Sequence, residues 1–224
     1  MSNEREIRIP VDAVALEAIL GIPEEAMGIV LFAHGSGSSS RSPRNAFVAR
    51  ELRASHLATL LMDLLTPAEA LDAANRFDIV FLARRLQRVL DWVGTQEATA
   101  ALPVGLFGAS TGAAAALQVA ASAPKRVAAV VSRGGRPDLA GELSLSRVRA
   151  PTLLIVGGDD REVLALNKAA LALLRAPREL AVVPGASHLF EEPGTLEMVA
   201  RLSSDWFARH LGDAWASTKE RAEK

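Results

Sequence analysis

The sequence predicts a single α/β domain with an eight-stranded, mostly parallel sheet and helices on both of its faces. Short apolar runs, several of them ending in glycine, alternate with longer segments of helical spacing, and no linker rich in Pro, Gly or Ser separates two cores. The chain has 224 residues, of which 50% are hydrophobic, so one sizeable core can be buried. We therefore assign one domain to residues 1–211 and a charged tail to residues 212–224.

Eight short apolar segments are predicted as strands. The first two are expected to pair with each other, and the remaining six are buried runs that alternate with helices. In chain order the predicted strands cover residues 6–12, 14–20, 28–33, 58–63, 103–107, 127–133, 152–156 and 179–184.

Helices are predicted between the strands. The longest of the internal ones spans residues 74–94, where apolar side chains recur at helical spacing. The others cover residues 44–54, 110–122, 161–174 and 195–210. The tail that follows is polar and charged, and we expect it to be frayed.

Composition and charge exclude several classes of protein. The formal net charge of -1 argues against a nucleic-acid binder, and the absence of cysteine excludes disulfides and thiolate ligands. The N-terminus is charged and does not look like a signal peptide. The longest apolar run, residues 113–131, is interrupted by Pro124, Lys125 and Arg126, so no membrane span is expected. We expect a cytoplasmic protein without a nucleic-acid or membrane partner.

A Gly-x-Ser-x-Gly motif at residues 108–112 lies between a predicted strand and a predicted helix. In this context the motif predicts a nucleophile elbow, in which a sharp turn exposes the hydroxyl of Ser110 above the sheet. The flanking glycines leave room where strand and helix nearly touch. The simpler alternative is that Ser110 only caps the helix.

A nucleophilic serine needs a histidine base, and the base needs a carboxylate that orients it. Of the two histidines after Ser110, His188 follows a strand at its carboxyl end, whereas His210 lies near the end of the last helix. We therefore assign His188 as the base. Asp159 and Asp160 both follow a strand in the same way, and the residues alone do not choose between them.

The expected oxyanion hole needs two backbone donors. One is the N–H of Thr111, which follows the nucleophile, and the other comes from the loop of residues 34–41. A phosphate cradle is disfavoured here because the loop lacks the Gly-Lys-Ser/Thr ending. Asp63 also ends a strand at this edge and is an alternative acid, although it precedes the serine in sequence.

Arginines surround the predicted site. Arg41 and Arg133 are candidates for holding a substrate carboxylate, together with Arg44 and Arg136. The alternative is that these arginines form structural ion pairs with Asp63, Asp138 or Glu191.

The motifs in this order make the chain resemble the α/β-hydrolase family over residues 5–211, and in particular the compact, lidless branch related to dienelactone hydrolases. The resemblance rests on the segments HGSGSSSRS, DLLTPAE, GASTG, SRGGRPDLA, PTLLIVGGDDREV and PGASHLFEEPG. It implies that Asp160, in the Gly-x-x-Asp-x-x-Val stretch, is the acid. It also implies that the N–H of Ser36 is the second oxyanion donor and that His34 braces the loop.

The resemblance implies serine-type hydrolysis of carboxylic esters, with no metal or organic cofactor. Dienelactone hydrolases carry a cysteine nucleophile and this chain has none, so their substrate is not implied. A thioesterase, a lactonase or an acyltransferase would use the same residues, and a catalytically silent binding scaffold is the non-enzymatic alternative. Because only 18 residues separate the predicted strands 127–133 and 152–156, no large lid fits there, and we expect an open site for small or exposed acyl groups.

Overall fold

The computed structural model describes residues 3–222; the first two residues of the charged N-terminus and the last two of the tail lie outside the described residues. All eight predicted strands are present in one sheet, which confirms the predicted architecture. In chain order they are β1 Asn3–Val11, β2 Val14–Ile22, β3 Ile29–Ala33, β4 Ala58–Met62, β5 Val104–Ala109, β6 Val127–Arg133, β7 Thr152–Gly157 and β8 Arg178–Val183.

The spatial order of the strands is β1-β2-β4-β3-β5-β6-β7-β8. Strand β2 pairs antiparallel with β1 and with β4, and all the other pairs are parallel. The carboxyl ends of β3 to β8 therefore meet at one edge of the sheet, where ligand sites form in such folds.

Residues 3–222 form seven α-helices: α1 Pro43–Ala54, α2 Ala73–Phe77, α3 Ile79–Val93, α4 Thr111–Ser122, α5 Glu142–Arg147, α6 Arg161–Leu173 and α7 Thr195–Ala222. Helices α1 and α7 pack on one face around Phe32, Phe107 and Phe207. Helices α3 and α4 pack on the other face, where α4 contributes the small side chains of Ala114, Ala115 and Ala116. The sheet is thus covered on both sides, as its apolar strands require.

The predicted helix over residues 74–94 is two helices. Asp78 leaves the helical conformation, with φ −76° and ψ 88°, and its carboxylate accepts a hydrogen bond from the N–H of Phe81 at 2.9 Å. The side chain thus caps α3 and separates it from α2, which apolar periodicity alone does not detect.

The last helix is longer than predicted, because α7 continues from the expected end at residue 210 to Ala222. The expectation of a frayed tail was therefore wrong for residues 212–222. Leu211 is fully buried, and a Cβ at Gly28 would lie 2.8 Å from its Cβ, so the helix is anchored beyond residue 210. The packing of Leu211 outweighs the loss of helix stability, about 1 kcal/mol, that a glycine such as Gly212 causes within a helix.

The connection between β6 and β7 holds a short 3-10 helix, Pro137–Ala140, and α5. The sequence did not predict these two elements, which fill the short connection without forming a separate domain. Among residues 3–222, no helix has the length and apolar character needed to span a bilayer.

Candidate active site

Ser110 occupies a strained turn between β5 and α4. Its φ of 50° lies in the left-handed region that favours glycine, at a cost of about 1–3 kcal/mol. Backbone hydrogen bonds hold the turn: the N–H of Ser110 donates to Arg133 at 3.3 Å, and its carbonyl accepts from Ala113 and Arg136, both at 3.1 Å. The side chain does not cap the helix, so the capping alternative is wrong and the hydroxyl remains free of that role.

The two glycines of the motif are required by close contacts. A Cβ at Gly108 would lie 2.3 Å from the Cα of Ala113, and a Cβ at Gly112 would lie 2.1 Å from the carbonyl oxygen of Ala33. Helix α4 can therefore start directly above the sheet only if both positions lack a side chain.

Asp160 and His188 form a hydrogen-bonded pair at the same edge. Nδ1 of His188 lies 2.7 Å from Oδ2 of Asp160, and Asp160 is not used as a side-chain cap for α6, although it precedes that helix. Because the carboxylate only accepts, Nδ1 carries the proton and Nε2 is left to act as an acceptor. Asp159, the neighbour that the sequence could not distinguish, is exposed.

The peptide of Arg133 and Gly134 adjoins both the turn of Ser110 and the loop of His188. The carbonyl of Arg133 accepts from Ser110, as described above, and a Cβ at Gly134 would lie 3.6 Å from Cε1 of His188. No hydrogen bond between Ser110 Oγ and the His188 ring is formed within the described residues. Such bonds are often long in unliganded sites.

Further contacts fix the loop that carries His188. The N–H of Ser187 donates to a carboxylate oxygen of Glu192 at 3.1 Å, and hydrogen bonds from Ser187 lower the pKa of Glu192 below its ordinary value. A Cβ at Gly157 would lie 2.3 Å from the carbonyl oxygen of Ala186, so the end of β7 packs directly against this loop. The loops of Asp160 and His188 are thus held together by backbone packing as well as by their side chains.

The loop after β3 lies against Ser110. A Cβ at Gly35 would be 2.8 Å from the Cβ of Ser110, and the N–H of Ser36 donates to the hydroxyl oxygen of Thr111 at 3.0 Å. The structure therefore brings the two predicted oxyanion donors, Ser36 and Thr111, to the same place. It also adds a contact that the sequence did not indicate, in which the Thr111 side chain meets the Ser36 amide.

Asp63 braces this loop and does not contact His188. Its carboxylate accepts from the N–H of Ser40 at 2.6 Å and from the Ser40 hydroxyl at 3.2 Å. Nδ1 of His34 lies 2.9 Å from the carbonyl oxygen of Gly35, and Nε2 of His34 lies 3.6 Å from Asp63. These contacts fit a structural role for both side chains.

Three of the four arginines that the sequence indicated form ion pairs. Arg44 contacts Glu191 at 3.0 Å, and Arg136 contacts Asp138 through two nitrogens at 2.9 and 2.8 Å; both carboxylates were among the expected structural partners. Arg41 contacts Glu6 on β1 at 2.9 Å, a partner that the sequence did not indicate. The predicted role of Arg41 in substrate binding stays a prediction.

Arg133 is only 6% exposed. Its guanidinium donates to Asn45 Oδ1 at 3.0 Å and lies 5.9 Å from the ring centroid of Phe190. Burial, reinforced by Arg44, lowers the pKa of Arg133 to about 10, so that it remains charged at neutral pH. Its predicted contact with a substrate anion also stays a prediction.

A cavity of about 260 Å³ opens beside the loop of residues 34–39. Arg76 lines this cavity, although nothing in the sequence indicated this placement. No sequence signal could have done so, because its position depends on how the segment between β4 and α3 folds back towards the loop. Among residues 3–222, no group of three or more His, Asp or Glu side chains is arranged to hold a metal ion.

A family model and two solved structures are similar to this chain. A family model for the alpha/beta hydrolase fold matches residues 28–149. A dienelactone hydrolase from Anabaena variabilis, known from a crystal structure, is 53% identical, superposes with a TM-score of 0.91, and is matched over 93% of this chain and 98% of its own. Est1E from Butyrivibrio proteoclasticus is 16% identical with a TM-score of 0.79, over 92% of this chain and 98% of its own, which indicates a shared fold alone.

Two curated proteins from strains of Mycobacterium tuberculosis are 58% identical over 209 residues. Both carry the name "Putative phosphoribosyl transferase". The match covers 93% of this chain but 47% of theirs, so the chain spans about half the length of these relatives.

Proposed function

Because the chain belongs to the α/β hydrolase fold family and is related to dienelactone hydrolases, we propose that it is a serine hydrolase that cleaves carboxylic esters of small or exposed acyl groups. The observation that carries this proposal is the strained turn of Ser110 at the sheet edge that also holds the hydrogen-bonded pair of His188 and Asp160, with 2.7 Å between Nδ1 and Oδ2. This combination is what acyl transfer through a covalent serine intermediate needs.

In the proposed reaction, Nε2 of His188 takes the hydroxyl proton of Ser110 while Oγ attacks the ester carbonyl. Asp160 holds the ring in the tautomer with Nδ1 protonated and stabilises the imidazolium that forms. The imidazolium then gives its proton to the leaving alcohol, which departs and leaves an acyl group on Ser110. Water, deprotonated by His188, releases the acid and restores the serine.

The negative oxygen of the tetrahedral intermediates would be stabilised by the backbone N–H groups of Thr111 and Ser36. In the unliganded site the Ser36 N–H donates to the Thr111 hydroxyl at 3.0 Å, so the oxyanion would have to replace this hydroxyl as the acceptor. Removing one such donor typically lowers kcat by about 10²- to 10³-fold. Helix α4 adds the positive end of its dipole at the same place. The proposed steps use only side chains and backbone of this chain, without a metal or an organic cofactor.

Hydrolysis of cyclic esters is the second candidate, favoured by the name of the dienelactone hydrolase that is 53% identical. A lactone would follow the same steps, except that the leaving alcohol stays tethered to the acyl group. Phosphoribosyl transfer is not proposed for this chain, because that name belongs to proteins of which the match covers 47%.

The test compares hydrolysis of p-nitrophenyl acetate by the wild type and by Ser110→Ala, with Ser217→Ala on the exposed part of α7 as the matched control. We expect Ser110→Ala to lose at least about 10⁴-fold in kcat, as serine hydrolases do without their nucleophile, and Ser217→Ala to keep full activity. Equal activity of wild type and Ser110→Ala would refute the assignment. If neither hydrolyses the ester, labelling of Ser110 by a fluorophosphonate, read by mass spectrometry, separates an enzyme of narrow specificity from a silent scaffold.

A further inference from the structure

The hydroxyl of Thr111 lies at the place where the proposed oxyanion hole must form. Its oxygen accepts a hydrogen bond from the N–H of Ser36 at 3.0 Å, and this N–H is one of the two expected backbone donors. The other expected donor is the N–H of Thr111 itself, the first residue of α4. Thr111 therefore brings both a backbone donor and a side-chain hydroxyl to this place.

Short distances fix this arrangement beside Ser110. A Cβ at Gly35 would lie 3.5 Å from Oγ of Ser110, so the residue before Ser36 is packed against the oxygen that we propose attacks the ester. A Cβ at Gly112 would lie 2.5 Å from the carbonyl oxygen of His34, so the start of α4 is pressed against the same loop. Ser36 is exposed and lines the cavity of about 260 Å³, which gives a substrate carbonyl access to its N–H.

The hydrogen of the Thr111 hydroxyl is not used by the rest of the described chain. Thr111 is only 4% exposed, and within residues 3–222 its hydroxyl accepts a hydrogen bond but donates none. A hydroxyl can accept and donate at the same time, and its hydrogen rotates about the Cβ–Oγ1 bond to suit the acceptor. A negative oxygen at this place would therefore meet a third donor.

An oxyanion that replaces this hydroxyl as the acceptor of the Ser36 N–H comes to lie beside the hydroxyl. An alcohol next to a negative oxygen donates to it, and hydrogen bonds of the O–H···O⁻ type are short and about twice as strong as neutral ones. The neutral carbonyl of the substrate carries less charge, so the hydrogen bond strengthens as the tetrahedral intermediate forms. An interaction that strengthens in this way lowers the barrier of the chemical step.

We propose that the hydroxyl of Thr111 is a third donor of the oxyanion hole and therefore a catalytic group. In the free enzyme it accepts from the Ser36 N–H. In the tetrahedral intermediate it donates a hydrogen bond to the negative oxygen and keeps its proton. The alternative is that the hydroxyl only competes with the oxyanion for the Ser36 N–H, and removing it would then speed the reaction instead of slowing it. This inference rests on the proposed function, because it adds a donor to the same reaction.

The first experiment measures kcat/KM for p-nitrophenyl acetate in Thr111→Val, which keeps the shape of the side chain without its hydroxyl, and in Thr111→Ser, which keeps the hydroxyl. Thr99→Val is the matched control: Thr99 is 2% exposed, its hydroxyl donates to the carbonyl of Val93 at 2.8 Å, and it precedes the amino end of β5, away from the site. We expect Thr111→Val to lose about 10- to 100-fold, the range for one hydrogen bond to a charged group. Thr111→Ser and Thr99→Val should stay near the wild type, and Thr111→Ala serves if the valine variant fails to fold.

The second experiment compares the inhibition constants of two ketones of similar shape. Phenethyl trifluoromethyl ketone forms a tetrahedral adduct with a serine nucleophile and places a negative oxygen in the hole, whereas phenethyl methyl ketone binds as a neutral ketone. We expect Thr111→Val to raise the inhibition constant of the trifluoromethyl ketone by the same factor by which its kcat/KM falls, and to leave that of the methyl ketone unchanged. A role restricted to holding the loop would weaken both ketones alike.

The inference is overturned if Thr111→Val is as active as the wild type or faster, if Thr111→Ser is as slow as Thr111→Val, or if both ketones lose affinity by the same factor. A wild type that cleaves the ester beside an unaffected Thr111→Val sinks the inference and leaves the proposed function standing. A wild type that neither cleaves the ester nor forms the adduct refutes the proposed function, and the third donor with it. If the adduct forms without turnover of the ester, the ketone affinities decide the inference.

Discussion

Asp160 and His188 are separated by 28 positions in the chain, yet Oδ2 of the first lies 2.7 Å from Nδ1 of the second. Two parallel neighbours, β7 and β8, bring the loops that carry them to the same edge of the sheet. The pair is the most direct support for a histidine base in this protein, and it makes the two adjacent aspartates distinguishable by experiment.

Replacing Asp160 by Asn is expected to lower kcat for ester hydrolysis by about 10⁴-fold, because an amide nitrogen facing Nδ1 favours the tautomer in which Nε2 carries the proton. Asp159→Asn is the matched control and should retain wild-type activity, since Asp159 is exposed. Both are measured with p-nitrophenyl acetate. Similar losses in the two variants would contradict the assignment of Asp160.

Replacing Asp63 by Asn is expected to lower kcat/KM by less than about 10-fold. The asparagine keeps one oxygen that accepts from Ser40, but an NH₂ donor replaces the other oxygen. The loop after β3 is therefore held less firmly, while His188 and Asp160 are unaffected. A loss as large as that of Asp160→Asn would instead make Asp63 the acid, which is the alternative that the sequence left open.

Replacing Gly112 by Ala is expected to destabilise the fold by at least about 1–3 kcal/mol, because the new methyl group would lie 2.1 Å from the backbone oxygen of Ala33, which cannot move away alone. Gly212→Ala is the control: its nearest atom would be Sδ of Met27 at 3.5 Å, and alanine favours the helix by up to about 1 kcal/mol. Urea unfolding of both variants, followed by circular dichroism, tests this. A midpoint for Gly112→Ala at or above that of the wild type would show that the close approach is not as tight as described.

The stability of the fold should depend on the protonation of His210. Burial, assisted by Arg209 and opposed by Asp213, lowers the pKa of His210 below its ordinary value of 6.5. The unfolded chain therefore takes up a proton at a higher pH than the folded chain does. The stabilising contribution of neutral His210 to the free energy of unfolding is therefore complete above about pH 6.5. It is lost progressively as the pH falls below that value, because the unfolded chain is protonated first.

His210→Gln removes this dependence, so the urea midpoint of the variant should fall less than that of the wild type between about pH 7.5 and about pH 5.5. His56→Asn is the control, because His56 is exposed and asparagine tolerates its φ of 58°. An equal fall in wild type and His210→Gln would mean that other groups govern stability in this range.

The sequence by itself determined the class of fold, the eight strands and the turn of Ser110. These features depend on short stretches of sequence. Continuous apolar runs indicate strands that are buried on both faces of the sheet, and a sharp strand-to-helix turn requires glycines. The sequence also placed Ser110, the adjacent Asp159 and Asp160, and His188 after the ends of separate strands, in that order along the chain. The end of α7 and the break at Asp78 escaped prediction, because a packed Leu211 and a capping side chain decided them.

Only the tertiary structure decided which side chains meet. It paired Asp160 with His188, and it brought Arg41 to Glu6 and Arg44 to Glu191. Each of these outcomes depends on groups that are far apart in the chain and reach each other only through the folding of separate loops at one sheet edge. Spacing along a sequence carries no information on such distances.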